Sequence, residues 1–146
     1  MDIYSASDTC ETKFVLVVDD DPNCLLVIEK LVSRVMPEVV ILTAKDGLEG
    51  LEIFKSLVDR GSNIRALLTD YNMPKMTGDV FLTHACHYLQ EKQNKSMKEA
   101  HTQCAIVTAN DMYRNKSPCN GCTKCATAII YKPYTKTTLQ QFLSKG

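Results

Sequence analysis

Several polar side chains stand where apolar runs stop: Asp19 and Asp20 after VLVV, Asp70 after LLT, Thr108 after AIV and Lys132 after IIY. If those runs lie side by side, three carboxylates, a hydroxyl and an ammonium meet at one edge. Two carboxylates about 4 Å apart repel by roughly 4 kcal/mol at an effective dielectric near 20, so the set needs protons or a cation. Mg²⁺ suits it, because that ion takes hard oxygen ligands and keeps open positions for water and phosphate oxygens. With Mg²⁺ on one side and Lys132 on the other, Asp70 can act as a carboxylate nucleophile toward a phosphoryl group, and Thr108 can donate its hydroxyl to a phosphoryl oxygen. An isolated Asp at a strand end is usually a cap or turn residue, and a lone Lys before Pro is usually surface. The chemistry therefore rests on the whole set in strand order.

The elements that must position these groups follow from hydrophobic periodicity. Residues 14–18 form a continuous apolar, β-branched run that suits a strand buried on both faces. Pro22 opens a helix with Leu25, Ile28, Leu31, Val32 and Val35 at helical spacing, and Pro37 ends that segment. Residues 39–43 predict a second strand, Lys45-Asp46-Gly47 a turn, and Leu48, Leu51, Phe54 and Val58 one face of a second helix. Residues 64–69 predict a third strand, Val80, Phe81, Ala85, Tyr88 and Leu89 a third helix, residues 104–107 and 126–131 two more strands, and residues 137–143 a last helix. The polar, lysine-bearing stretch around residues 92–98 is expected to be a solvated loop or a frayed helix end. Strands alternating with helices argue for a parallel sheet with right-handed connections, and such sheets bind ligands outside the carboxyl ends of their strands.

Length and composition narrow the function classes. At 146 residues the chain suits one domain with a real core. Lys+Arg and Asp+Glu are both 17, so no global field recruits nucleic acid, and direct nucleic-acid binding is not expected. Apolar runs fall far short of the roughly 20 residues that span a bilayer, and the polar start lacks the features of a secretory signal. The expectation is a cytoplasmic protein with no membrane partner. Seven cysteines in that setting are read as reduced thiols or metal ligands.

The segments VLVVDDDP (15–22), LLTDYNMPKMTG (67–78), AIVTAN (105–110) and IIYKPY (129–134) together resemble the receiver domain of two-component response regulators, of the chemotaxis-regulator type. The resemblance covers about residues 13–143. It implies an α/β fold, a doubly wound, flavodoxin-like sheet of five parallel strands in the order 2-1-3-4-5, with residues 1–12 as a flexible lead and 13–146 as the receiver. Asp70 would be the phosphoacceptor, Asp20 a direct Mg²⁺ ligand, Asp19 a ligand largely through water, and Asn72 a ligand through its backbone carbonyl. Thr108 would be the switch hydroxyl, with small Ala109 beside it, and Lys132 would bind phosphoryl oxygens, aimed by a cis peptide to Pro133. The partners implied are a sensor histidine kinase or a histidine phosphotransfer protein as donor, and a downstream protein target.

Two departures accompany the resemblance. Receivers commonly carry Tyr or Phe three residues before the lysine; here that residue is Ile129, and Tyr131 should share its face by strand alternation. In place of part or all of the fourth helix the chain reads NDMYRNKSPCNGCTKCATA (110–128), rich in turn signals, with Cys119, Cys122 and Cys125 spaced C-x₂-C-x₂-C. Such a loop can hold Zn²⁺, with Cys86, Cys104, His84, His87 or His101 as a fourth ligand, or can leave its thiols unligated or redox-active.

The leading expectation is a stand-alone, non-enzymatic receiver that accepts a phosphoryl group on Asp70 in a Mg²⁺-dependent reaction and signals by protein contact. The alternatives are a receiver-fold binding module, or a metal or redox sensor built on the Cys119/Cys122/Cys125 loop. A phosphohydrolase with an aspartyl nucleophile usually has a second aspartate two residues on, where this chain has Asn72.

Overall fold

The computed structural model describes residues 12–109, 127–132 and 135–144. Strands β1 (Lys13–Val18), β2 (Val40–Ala44), β3 (Asn63–Asp70), β4 (Gln103–Thr108) and β5 (Thr127–Tyr131) make one parallel sheet in the order β2-β1-β3-β4-β5. Among the described residues the helices are α1 (Pro22–Val35), α2 (Gly47–Asp59), α3 (Gly78–Gln93) and α4 (Lys136–Ser144). The expected strand order is therefore the observed one. The Cys-rich segment, the lead before Thr12 and Pro133, where a cis peptide was expected, lie outside the described residues.

Strand β1 shows why the central runs are apolar without alternation. Phe14, Leu16 and Val18 pack into a cluster with Phe54, Leu57, Phe81 and Leu82 of α2 and α3. Val15 and Val17 face the other way, into a cluster with Ile28 and Val32 of α1 and Leu139 and Phe142 of α4. Both faces of the sheet are covered, so a polar residue anywhere from Phe14 to Val18 would have to desolvate. Polar residues are thereby driven to the strand ends.

Helix starts are fixed locally. The Asp21 carboxylate accepts the Asn23 N–H at 2.9 Å, and Pro22 occupies the first turn, where its missing N–H costs nothing. At α2 the Asp46 carboxylate accepts the Glu49 N–H at 2.8 Å, while Glu49 Oε1 accepts the Lys45 N–H at 2.9 Å. Both caps lie just past strand ends, so helix geometry and site geometry are coupled from the first turn.

The stretch expected to be solvated is only partly so. Helix α3 continues to Gln93 and stops at Asn94, whose left-handed backbone ends it. Beyond it, Ser96 Oγ accepts the Glu99 N–H at 3.1 Å and Glu99 Oε1 accepts the Ser96 N–H at 3.0 Å, a reciprocal cap on a short turn. That turn drives Met97 into the α2–α3 core, where it is 1% exposed, while Lys95 and Lys98 stay in solvent. Thr102 then donates its hydroxyl to the Ile64 carbonyl at 2.6 Å and seats the chain for β4. Replacing Met97 with Ala should cost about 2–5 kcal/mol in urea unfolding, whereas Lys98→Ala should stay within about 0.5 kcal/mol. Equal effects of the two substitutions would refute the plug.

Candidate functional site

Three strand ends and one strand exit build the site. Asp70 is the last residue of β3 and stands in register with Val107 of β4. Thr108 ends β4, is 1% exposed, and lies one step further along the same edge. Its carbonyl accepts the Lys132 N–H at 2.8 Å, which extends the β4–β5 pairing one residue and delivers Lys132 to that edge. Asp19 follows β1, held by its N–H to the Ala44 carbonyl at 3.0 Å. Beyond Asp70 the chain reverses sharply: the Gly78 N–H donates to the Tyr71 carbonyl at 2.9 Å, and a Cβ on Gly78 would stand 2.2 Å from the Asp70 carbonyl oxygen. Only glycine lets α3 begin that close to the end of β3.

The side chains converge. One carboxylate oxygen from each of Asp19, Asp20 and Asp70 lies within 4.8 Å of the others, with Asp19 buried, Asp70 half-buried and Asp20 exposed. Among the described residues this is the one grouping of side chains able to hold a metal ion. Lys132 Nζ stands 3.5 Å from Asp19 Oδ2 and 3.5 Å from Asp70 Oδ1. Asp19 Oδ1 accepts the Asp21 N–H at 2.9 Å, whereas Asp19 Oδ2 is buried with no hydrogen bond. A buried carboxylate oxygen normally has a partner, and this one points to a cation beyond what Lys132 supplies. The donor set, all carboxylate oxygen, suits a hard divalent ion.

Electrostatics tell the same story. Burial pushes the Asp70 carboxyl above its ordinary value, and the Asp19 charge adds to the rise against the pull of Lys132. Burial likewise raises Asp19, opposed by the Asp21 N–H and by Lys132. For Lys132 burial works downward, but the charges of Asp19 and Asp70 outweigh it and the ammonium is stabilised above its ordinary value. The carboxylates are thus under-compensated and the lysine is firmly charged.

A family model for the response regulator receiver domain matches residues 15–144. The chain belongs to that family. The receiver is 38% identical over 64 residues, 44% of its length, to the two-component response regulator ARR14 of Arabidopsis thaliana, and 28% identical over 131 residues, 90% of its length, to the terminal-differentiation-specific adenylate cyclase of Dictyostelium discoideum. It spans about 15% and 6% of those two proteins. In fold it is similar to the CheX-CheY-BeF3-Mg⁺² complex from Borrelia burgdorferi, with a TM-score of 0.67, 21% identity, and coverage of 90% of this chain and 87% of that one. Family membership implies phosphoryl acceptance on an aspartate in two-component signalling.

The structure brings Asp19, Asp20, Asp70 and Lys132 together and sets Thr108 at the same edge. Asn72 lies exposed in the turn just after Asp70, and Ala109 is exposed after Thr108. Cys119, Cys122 and Cys125 lie outside the described residues, and nothing supports Zn²⁺ there. The fourth ligands considered for that loop are dispersed: Cys86 and Cys104 are buried in the α2–α3 core, and His84, His87 and His101 are exposed. Ile130 is buried, while Ile129 and Tyr131 are both half-buried, in keeping with a shared face. Sequence reasoning missed Cys24, in the first turn of α1, whose Sγ lies 3.7 Å from Lys132 Nζ. Only its place four residues after Asp20 could have signalled it.

Since the folded Asp70 holds its proton more tightly than its ordinary value of 3.8, ionising it costs stability. That cost is absent at lower pH and grows as pH rises from 3.8 through the raised folded value. In EDTA at pH 7, Asp70→Asn should therefore be more stable than the parent, measured by urea unfolding, and the gap should close as pH falls toward 4. A destabilised Asp70→Asn at neutral pH would contradict the charge balance described.

Proposed function

We propose that this receiver accepts a phosphoryl group on Asp70 from a phosphohistidine, in a reaction that requires Mg²⁺, and signals by contact with a downstream protein. The observation that carries the reading is the pairing of Asp70 Oδ1 with Lys132 Nζ at 3.5 Å beside the carboxylates of Asp19 and Asp20. The Borrelia burgdorferi complex, which includes BeF3 and Mg⁺², supports the same assignment by likeness of fold.

Asp70 is ionised at neutral pH only if its neighbours make that state tolerable, and Lys132 does part of this. An Asp70 oxygen attacks phosphorus as the P–N bond to the donor imidazole breaks; the electron pair returns to the ring nitrogen, which takes up a proton. Mg²⁺, held by Asp19, Asp20, Asp70 and the Asn72 carbonyl, would neutralise phosphoryl oxygens and relieve the carboxylates of mutual repulsion. The Lys132 ammonium covers another phosphoryl oxygen, and the Thr108 hydroxyl can donate to a third. Thr108 moving toward the phosphoryl group would bias the adjoining end of β4, a population shift rather than a new fold. The chain acts on this reading as a stoichiometric acceptor, not a turnover enzyme.

The donor is a sensor histidine kinase or a histidine phosphotransfer protein. Leu26 and Val27 on α1 are 50% and 49% exposed, close in sequence to the acidic edge, and offer apolar surface for such a partner.

Incubation with acetyl phosphate and Mg²⁺ should add one acid-labile phosphoryl group, read by intact mass. Asp70→Asn should abolish it, EDTA should suppress it, and Lys132→Ala should slow it by roughly 10²-fold. Undiminished labelling of Asp70→Asn would overturn the assignment.

A further inference from the structure

An ammonium carries three N–H donors and no acceptor. Around Lys132 Nζ stand three acceptors on three different parts of the fold: Asp19 Oδ2 at 3.5 Å after β1, Asp70 Oδ1 at 3.5 Å at the end of β3, and Cys24 Sγ at 3.7 Å in the first turn of α1. The two carboxylate distances exceed the roughly 2.7–2.9 Å of a charge-assisted N–H···O bond, and Asp19 Oδ2 has no hydrogen bond at all. Charge holds the ammonium between the carboxylates. The contact with sulfur has hydrogen-bond geometry.

Cys24 is arranged to accept. Its thiol lies 3.5 Å from Asp21 Oδ2, to which it donates its proton, and this turns the sulfur lone pairs toward Lys132. Asp21 is itself fixed, because its other oxygen caps α1 by accepting the Asn23 N–H at 2.9 Å. A hydrogen-bonded chain thus runs from the helix cap through Cys24 to the lysine. Packing does not explain the thiol: Cys24 belongs to neither hydrophobic core cluster.

We propose that Cys24 is a positioning residue for phosphoryl transfer, the acceptor that keeps the Lys132 ammonium aimed at the phosphoryl group once both carboxylates are engaged elsewhere. The inference rests on the phosphoacceptor reading of Asp70. In that reaction an Asp70 oxygen becomes bonded to phosphorus and Asp19 turns to the cation. Of the three acceptors only Cys24 is left unchanged by the chemistry. Its loss should weaken the hold on a phosphoryl group while sparing a metal held by the Asp19, Asp20 and Asp70 grouping, to which Cys24 does not belong.

The test measures two affinities on the full chain carrying Cys24→Ala or Cys24→Ser: Mg²⁺ alone, and beryllofluoride at saturating Mg²⁺, both followed by amide chemical shifts. Cys24→Ala should lower beryllofluoride affinity and the acetyl phosphate rate by about three- to tenfold and leave Mg²⁺ affinity unchanged. Cys24→Ser, which keeps a donor and acceptor in place, should restore both. If the parent chain binds beryllofluoride and takes a phosphoryl group, and Cys24→Ala matches it, the inference falls alone. It also falls if Mg²⁺ affinity drops in parallel and serine fails to rescue, because the residue is then structural. A parent chain that does neither would bring down the phosphoacceptor reading and this inference with it.

Discussion

One ammonium between two carboxylates organises this molecule's chemistry. Lys132 enters the carboxyl edge of the sheet from β5, on the far side of β4 from Asp70, and meets charges carried by β1 and β3. Removing charges from water costs several kcal/mol each, and a pair repays this only with good geometry. Here the geometry is incomplete: contacts of 3.5 Å and one buried oxygen without a hydrogen bond leave negative charge uncovered. The site is therefore held short of electrostatic balance, and that shortfall is what a divalent cation can use.

The rest of the fold makes such an arrangement tolerable. Beneath the charged edge, the strands are packed on both faces by separate hydrophobic clusters, so the cost is borne by a core that does not depend on the site. The strand ends are pinned by backbone bonds, from Asp19 N–H to Ala44 and from Lys132 N–H to Thr108. Side chains there can exchange partners without moving the sheet. Gly78 brings α3 against the Asp70 carbonyl and ties the turn after Asp70 to the same edge.

Much of this was legible in the sequence because the same physics writes both. Buried parallel strands demand uninterrupted apolar runs, so their ends and the polar groups at those ends can be read directly, as at Asp19, Asp70 and Thr108. Strand order came with the family resemblance and not from the runs themselves. What stayed hidden depended on contacts across many residues. Cys24 reads as an ordinary position in an amphipathic helix until Lys132, 108 residues away, is placed beside it. Met97 sits among lysines and glutamate, where average polarity conceals a reciprocal cap from Ser96 and Glu99 that turns one side chain inward. Composition describes the segment; only the cap sets the direction of Met97.

A phosphoryl group on Asp70 would replace one carboxylate charge with a phosphoryl charge of about −1.5 to −2, in a cluster that already holds more carboxylates than ammonium groups. Charge balance then requires compensation from outside the protein, from movement of Lys132 toward the new oxygens, or from both. Movement of that lysine is constrained at its base, because its N–H is fixed to the carbonyl of Thr108, the last residue of β4. One backbone bond of 2.8 Å holds that base in place while the tip of the side chain stays free to turn. The electrostatic demand is thus created on β1 and β3 and met from the β5 side of the sheet, by Lys132.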